Sequence, residues 1–314
     1  MTLTQGKALR VAFGETVTRL ADSDPRIVML DGDLGSSTRA DIFEEAHPDR
    51  FFQMGIAEQN LLGVAAGMAT MGFIPFVSTF ACFAVARALD SIRVLIAQPS
   101  LNVKITGGYA GLLAGMTGKS HLMFDDVAIM RAMANMVTVA PADEVETRQA
   151  ISAIIDYEGP VYLRLTRPAT PILFSDSYRF ELGKATVVRQ GSDITVFSTG
   201  VQTTRAFEAA EILAGENINV HLVHLPTLKP LDLDGIVEAA QVTGSVITTE
   251  EHTTIGGLGS AVAETLAERY PITVKRLGLP DTFGESGPND ALLEKYGISI
   301  DKTVEAIRAA VLAA

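Results

Sequence analysis

A single cysteine, Cys82, is the whole thiol complement of this 314-residue chain. No intrachain disulfide can form, which fits a reducing compartment, and a cytoplasmic location is expected. Basic residues are scarce beside acidic ones, 25 against 37, for a net charge of −12. That balance argues against nucleic acid and anionic membranes as main partners. It leaves small anions open, because a local basic pocket can sit in an acidic surface. No uncharged apolar run reaches the roughly 18 residues that suggest a spanning helix. The richest apolar window, 61–77, is broken by Gly63, Gly67, Gly72 and Pro75 and reads as a buried helix followed by a buried strand. Residues 1–7 lack the apolar core of a signal peptide. Internal repeats, low-complexity tracts and long charge blocks are also absent.

What is present suits a globular protein: hydrophobic residues make up 47% and charged residues 20%. The length is comfortable for two domains. Helical and strand patterns alternate along the whole chain. A first helix is expected over 5–21, with Leu9, Ala12, Phe13, Thr16 and Leu20 on one face. Strands are expected over 27–30, 50–54, 73–78, 102–106, 136–140 and 161–165, with helices over 58–71, 81–97, 125–134 and 142–157 between them. Strands without polar alternation, separated by helices, indicate a largely parallel sheet flanked by helices. The prolines of Thr166-Arg167-Pro168-Ala169-Thr170-Pro171 interrupt this rhythm, and a second α/β unit starts near Asp193. The expected organisation is a first domain over 1–165, a linker over 166–189 and a second domain over 190–314.

Several segments carry possible chemistry. In Met54-Gly55-Ile56-Ala57-Glu58-Gln59-Asn60-Leu61-Leu62-Gly63, one acid stands in a nearly uncharged run at a helix start. Helix dipoles favour an acid there, but the apolar neighbours also suit a buried acid that holds a proton for a reaction. Phe80 and Phe83, three apart after a strand, could be core. They also face the carboxyl edge of the sheet, where such folds bind ligands. Leu30-Asp31-Gly32-Asp33-Leu34-Gly35-Ser36-Ser37 reads as a strand-to-helix turn, and a glycine-rich loop runs from Gly107 to His121. His47, His221, His224 and His252 have no ligand spacing and read as structural or surface residues. Cys82 has no basic neighbour in sequence and reads as core.

These motifs together resemble the transketolase family of thiamine-diphosphate enzymes. The resemblance covers nearly the whole chain: a pyrimidine-binding domain first, then the transketolase C-terminal domain. It implies that Glu58 shares a proton with the cofactor's pyrimidine ring and thereby activates the cofactor. It further implies that Phe80 and Phe83 stack on that ring, with Ala86 where a third aromatic is usual. Asp33 is placed near the cofactor and Ser37 at the substrate phosphate. Although Asp33 sits in a Gly-Asp sequence, the next residue is Leu34, so this is not the family's magnesium–diphosphate motif. His121 is implied as the substrate-facing histidine, and Arg167 and Arg10 as phosphate contacts, a task that suits a planar guanidinium. Thr117 and Tyr109 stand where many members have an Asp and a His that touch substrate hydroxyls. The segment from Glu250 to Gly259 resembles a turn of the last domain, which mostly builds the dimer.

A full-length member also has an N-terminal domain that holds Mg2+ and the diphosphate. No ligands for a metal are expected in this chain. The resemblance therefore implies a split enzyme: an N-terminal transketolase subunit supplies that domain, and two copies of each chain form a heterotetramer. The implied reaction moves a two-carbon ketol unit between sugar phosphates. Competing expectations are the beta subunit of a 2-oxo-acid dehydrogenase, a 1-deoxyxylulose-phosphate-synthase-like enzyme, and a non-catalytic accessory subunit.

Overall fold

The computed structural model describes residues 3–313. Its strands in chain order are β1 (Gln5–Ala8), β2 (Ile27–Asp31), β3 (Phe51–Gln53), β4 (Ile74–Phe80), β5 (Lys104–Gly108), β6 (Val137–Val139) and β7 (Val161–Arg164). They continue with β8 (Ala169–Pro171), β9 (Thr186–Arg189), β10 (Ile194–Ser198), β11 (Val220–His224), β12 (Thr227–Lys229), β13 (Val246–Thr253) and β14 (Val274–Leu279). The first sheet runs β12-β6-β7-β5-β4-β2-β3 and the second β14-β13-β10-β11-β9. Every pairing from β6 to β3 in the first sheet is parallel. In the second, only β9 is antiparallel.

The apolar runs explain this arrangement. All residues of β2, β4, β5 and β7 are buried, so helices must cover both faces of the sheet. Helices Leu9–Ala21 and Glu144–Asp156 pack on each other, while Glu58–Thr70 packs on β4. The expected fold class, two α/β units with largely parallel sheets flanked by helices, is observed.

Four local expectations differ from the structure. The first helix starts at Leu9, not at residue 5, because residues 5–8 pair antiparallel with β8. There Gly6 lies so close to Thr170 and Ile172 that a side chain has no room. The expected helix over 81–97 is divided. Phe83–Arg87 and Ile92–Ala97 are π-helical, with a short α-turn, Leu89–Ser91, between them. Residues 166–189 hold β8 and β9 and are tied down, since the backbone N–H groups of Leu173 and Phe174 both donate to Asp143 Oδ2 at 2.7 Å. Finally, β12 leaves the second half of the chain and joins the first sheet beside β6, antiparallel. Alternating patterns within one unit carry no sign of such an exchange.

Candidate functional site

Parallel strands deliver their following loops to one edge of a sheet, and ligands bind at that edge. At the carboxyl edge of the first sheet, β2 leads into the Asp31–Ser37 turn, β4 ends on Phe80, and β5 leads into the loop carrying Tyr109 and His121. Glu58 is the first residue of its helix.

The aromatic residues form one cluster. Phe80 stacks on Tyr109 with centroids 4.0 Å apart and on Phe83 at 5.7 Å. His121 meets the Phe83 ring edge-on at 5.3 Å and Phe80 at 6.1 Å. Phe80 is the last strand residue, so the two phenylalanines do not share a helix face as their spacing suggests; the turn after β4 brings the rings together. Arg10 and Arg167 both lie over the Tyr109 ring, at 5.9 and 5.4 Å. Arg10 also donates to the Ser37 carbonyl at 2.7 Å and to the Arg167 carbonyl at 3.2 Å. Two guanidinium groups, a serine and an aromatic wall thus converge, a set suited to an anionic group. Tyr109 holds a left-handed backbone with φ 56°, a conformation that costs a non-glycine residue about 1–3 kcal/mol.

Glu58 is 1% exposed. Its Oε2 accepts from Arg87 Nη1 at 2.7 Å, whereas Oε1 is buried with no hydrogen-bond partner among the described residues. A buried carboxyl oxygen left unpaired costs about 1–3 kcal/mol or more, so this atom points to a partner the chain itself does not supply. It lies in the same region as the Phe80–Phe83 stack, because Arg87 also packs over the Phe83 ring at 5.3 Å. A planar heterocycle with a ring nitrogen able to share a proton fits this combination of stacking wall and unpaired carboxyl oxygen.

Other expected residues are placed less centrally. Asp33 is exposed with φ 64°, and its backbone N–H donates to Gln53 Oε1 at 3.0 Å. Thr117 is exposed and donates to the Ala114 carbonyl at 2.6 Å. Ala86 lines a cavity of about 820 Å3 together with Cys82, Ser120 and Phe124. The Cys82 thiol is pushed up to about 11 by burial, which suits a core residue. His224 is wholly interior, between Glu146 at 2.8 Å and Thr203 at 2.7 Å, and burial lowers His252 to about 4. Both fit a structural role.

Sequence reasoning missed three residues. Arg87 holds Glu58. Asp31 is fully buried at the end of β2, and its Oδ2 accepts from Leu34 N, Gly35 N and Gln53 Nε2. Burial holds the Asp31 carboxyl above its ordinary range. Gln53 joins this turn to the segment before Glu58, since its Oε1 also accepts from Gly55 N at 2.9 Å. An acid ending an otherwise apolar strand is the one available signal, and Asp31 carries it.

Residues 5–172 match the family description "Transketolase, pyrimidine binding domain", and residues 183–303 match "Transketolase, C-terminal domain". This chain belongs to the transketolase family. Membership implies dependence on thiamine diphosphate. Among curated relatives, the "Putative transketolase C-terminal section" of Methanocaldococcus jannaschii is 43% identical over 93% of this chain and 92% of its own length. The "6-deoxy-6-sulfo-D-fructose transketolase subunit SqwH" of Clostridium sp. (strain MSTE9) is 40% identical over 95% and 92%. A solved structure described as "Split gene transketolase, inactive beta4 tetramer" superposes with a TM-score of 0.90 at 48% identity, covering 98% of this chain and 99% of that one. Among the described residues, no helix is long and apolar enough to cross a membrane, and no group of three or more His, Cys, Asp or Glu is placed to hold a metal ion.

Proposed function

We propose that this chain is the pyrimidine-binding, C-terminal subunit of a two-subunit transketolase that moves a two-carbon ketol unit between sugar phosphates. The observation that carries the reading is Glu58 Oε1, buried and unpaired beside the Phe80–Phe83 stack. When bound, thiamine diphosphate supplies the carbon nucleophile that takes up the two-carbon unit. Glu58 holds a proton at Oε1 against the pyrimidine ring, in a site shielded from water, where such a hydrogen bond is strong. Arg87 fixes the other oxygen and so sets which one faces the cofactor. Phe80 and Phe83 stack on the ring, and Asp33 lies near it. His121 faces the substrate and bonds its hydroxyl or carbonyl oxygens. Arg10, Ser37 and Arg167 bind the terminal anion.

An N-terminal subunit supplies the diphosphate site and Mg2+, and two copies of each chain assemble in the cytoplasm. The names of the relatives, a "C-terminal section" and a "subunit", support a divided enzyme. Tyr109 and Thr117 replace hydroxyl-contacting residues of many family members, which favours a donor other than the usual pentose and hexose phosphates. The sulfonated sugar in the name of one relative supports a terminal anion as the common recognition element.

The test is a donor–acceptor screen with the chain alone, the N-terminal subunit alone and the co-purified pair. The expected result is ketol transfer by the pair only. Full activity of the N-terminal subunit alone would sink the assignment.

A further inference from the structure

The loop that carries Tyr109, Thr117 and His121 is held from outside its own domain. Glu251, at 2% exposure in β13 of the second domain, accepts through Oε1 from Leu112 N at 2.7 Å and Leu113 N at 3.1 Å. Asn289 brackets the next turn. Its Oδ1 accepts from Gly115 N and its Nδ2 donates to the Leu113 carbonyl, both at 3.1 Å. Gly287 N adds a bond to the Gly115 carbonyl at 3.1 Å. The approach is close enough to dictate sequence. A Cβ on Gly111 collides with Glu251, one on Gly115 with Gly287 and Leu292, and one on Gly118 with Ser286. Three glycines give this loop a large conformational freedom to lose, and its internal turns, such as Thr117 N to the Ala114 carbonyl and His121 N to the Gly118 carbonyl, leave the Leu112 and Leu113 N–H groups to Glu251. Glu251 is itself anchored: Arg164 Nη2 donates to its carbonyl at 2.9 Å, and Arg205 lies 3.6 Å from Oε2.

We propose that Glu251 and Asn289 are positioning residues through which the C-terminal domain sets the substrate-facing loop and, with it, His121. The C-terminal domain thus governs the substrate half of the site, not only assembly. The proposal rests on the reading of His121 as substrate-facing.

The experiment uses the assembled two-subunit enzyme carrying Asn289→Ala, Glu251→Ala or Glu251→Gln. Amide hydrogen exchange is followed in the peptides covering 108–121 and 58–70, beside donor KM, kcat and thiamine diphosphate affinity. In Asn289→Ala and Glu251→Ala, exchange of 108–121 is expected to accelerate about tenfold or more, with 58–70 unchanged. Donor KM rises about tenfold while cofactor affinity holds, because the loop and not the Glu58 pocket has loosened. Glu251→Gln keeps an acceptor oxygen and stays near the parent. Unchanged exchange of 108–121, equal acceleration of 58–70, or a loosened loop with unaltered donor KM and kcat overturns the proposal. Asn289 is only half-buried, so its variant keeps the test available where a Glu251 variant fails to fold. A parent pair that transfers no ketol unit, yet loosens at 108–121 in both variants, sinks the transferase reading and supports the clamp.

Discussion

Glu58 and Glu250 occupy comparable places in the two domains. Each is a buried carboxylate at the carboxyl edge of a parallel sheet, beside the start of a helix. In the second domain, Glu250 is satisfied by its own chain: Oε2 accepts from Leu258 N at 2.6 Å and Oε1 from Gly259 N at 2.8 Å, where helix Leu258–Arg269 begins. In the first, Glu58 has one oxygen on Arg87, and the other has no hydrogen-bond partner among the described residues. Position and burial are thus shared, and pairing separates them. A buried acid whose acceptors are filled holds a turn together, and one left with an open acceptor is prepared for a ligand.

The largest expected effect tests that contrast directly. Glu58→Gln in the assembled enzyme lowers kcat by about 10²–10⁴-fold, the usual reach of a proton-holding group, while a thermal melt shows no loss of stability. A large fall in melting temperature would mean that Glu58 is structural after all. Glu250→Ala is the mirror case. Orphaning two helix-start N–H groups costs about 2–4 kcal/mol, read by denaturant unfolding, while turnover of the folded fraction falls less than tenfold.

Arg87→Met sharpens the comparison by depriving Glu58 of its remaining partner. Because Arg87 is half exposed, the stability cost is modest, about 1–2 kcal/mol, and a fall in kcat reports the loss of the contact that orients the carboxyl. Tyr109→His has a smaller effect on specificity. It raises kcat/KM for pentose phosphate donors relative to the native donor by roughly tenfold, within the range of a single pocket contact.

The two domains also differ in the sign of their contribution to the pH dependence of stability. Burial pushes the Lys104 ammonium down to about 7 from 10.5. Between those values the unfolded chain binds more protons, so stability rises with pH across that window. Glu250 is pushed up to about 7 from 4.5, again by burial. Between those values the folded chain binds more protons, so its contribution falls as pH rises. Each slope is at most about 1.4 kcal/mol per pH unit. Lys104→Met flattens the first and Glu250→Gln the second, both read from melting temperature against pH.

Much of the architecture was legible in the residues. Fully apolar runs such as those of β2 and β4 leave no choice but a covered parallel sheet. Glu58 stood out because a lone acid in an uncharged stretch is conspicuous without any structure. The exchange of β12 into the first sheet was not legible, since three residues carry too weak a pattern to show which edge they join. Neither was the π-helical course of Phe83–Arg87. Without that turn, Arg87 has no visible relation to Glu58. Asp31 ends an apolar strand and Asp33 lies two residues on in the turn, and burial separates their roles more sharply than that position does.

Sequence by itself determined the alternation of helices and strands, the place of Glu58 at a helix start, and the set of aromatic and basic residues at the sheet edge. These depend on local patterns of apolar and polar residues, which the order of amino acids contains. Tertiary structure alone decided which buried polar atoms find partners. Arg87 reaches Glu58 across 29 residues, and Glu251 reaches Leu112 across 139. Pairing over such distances depends on how whole elements pack, and packing is what left one oxygen of Glu58 open while it closed the loop around His121.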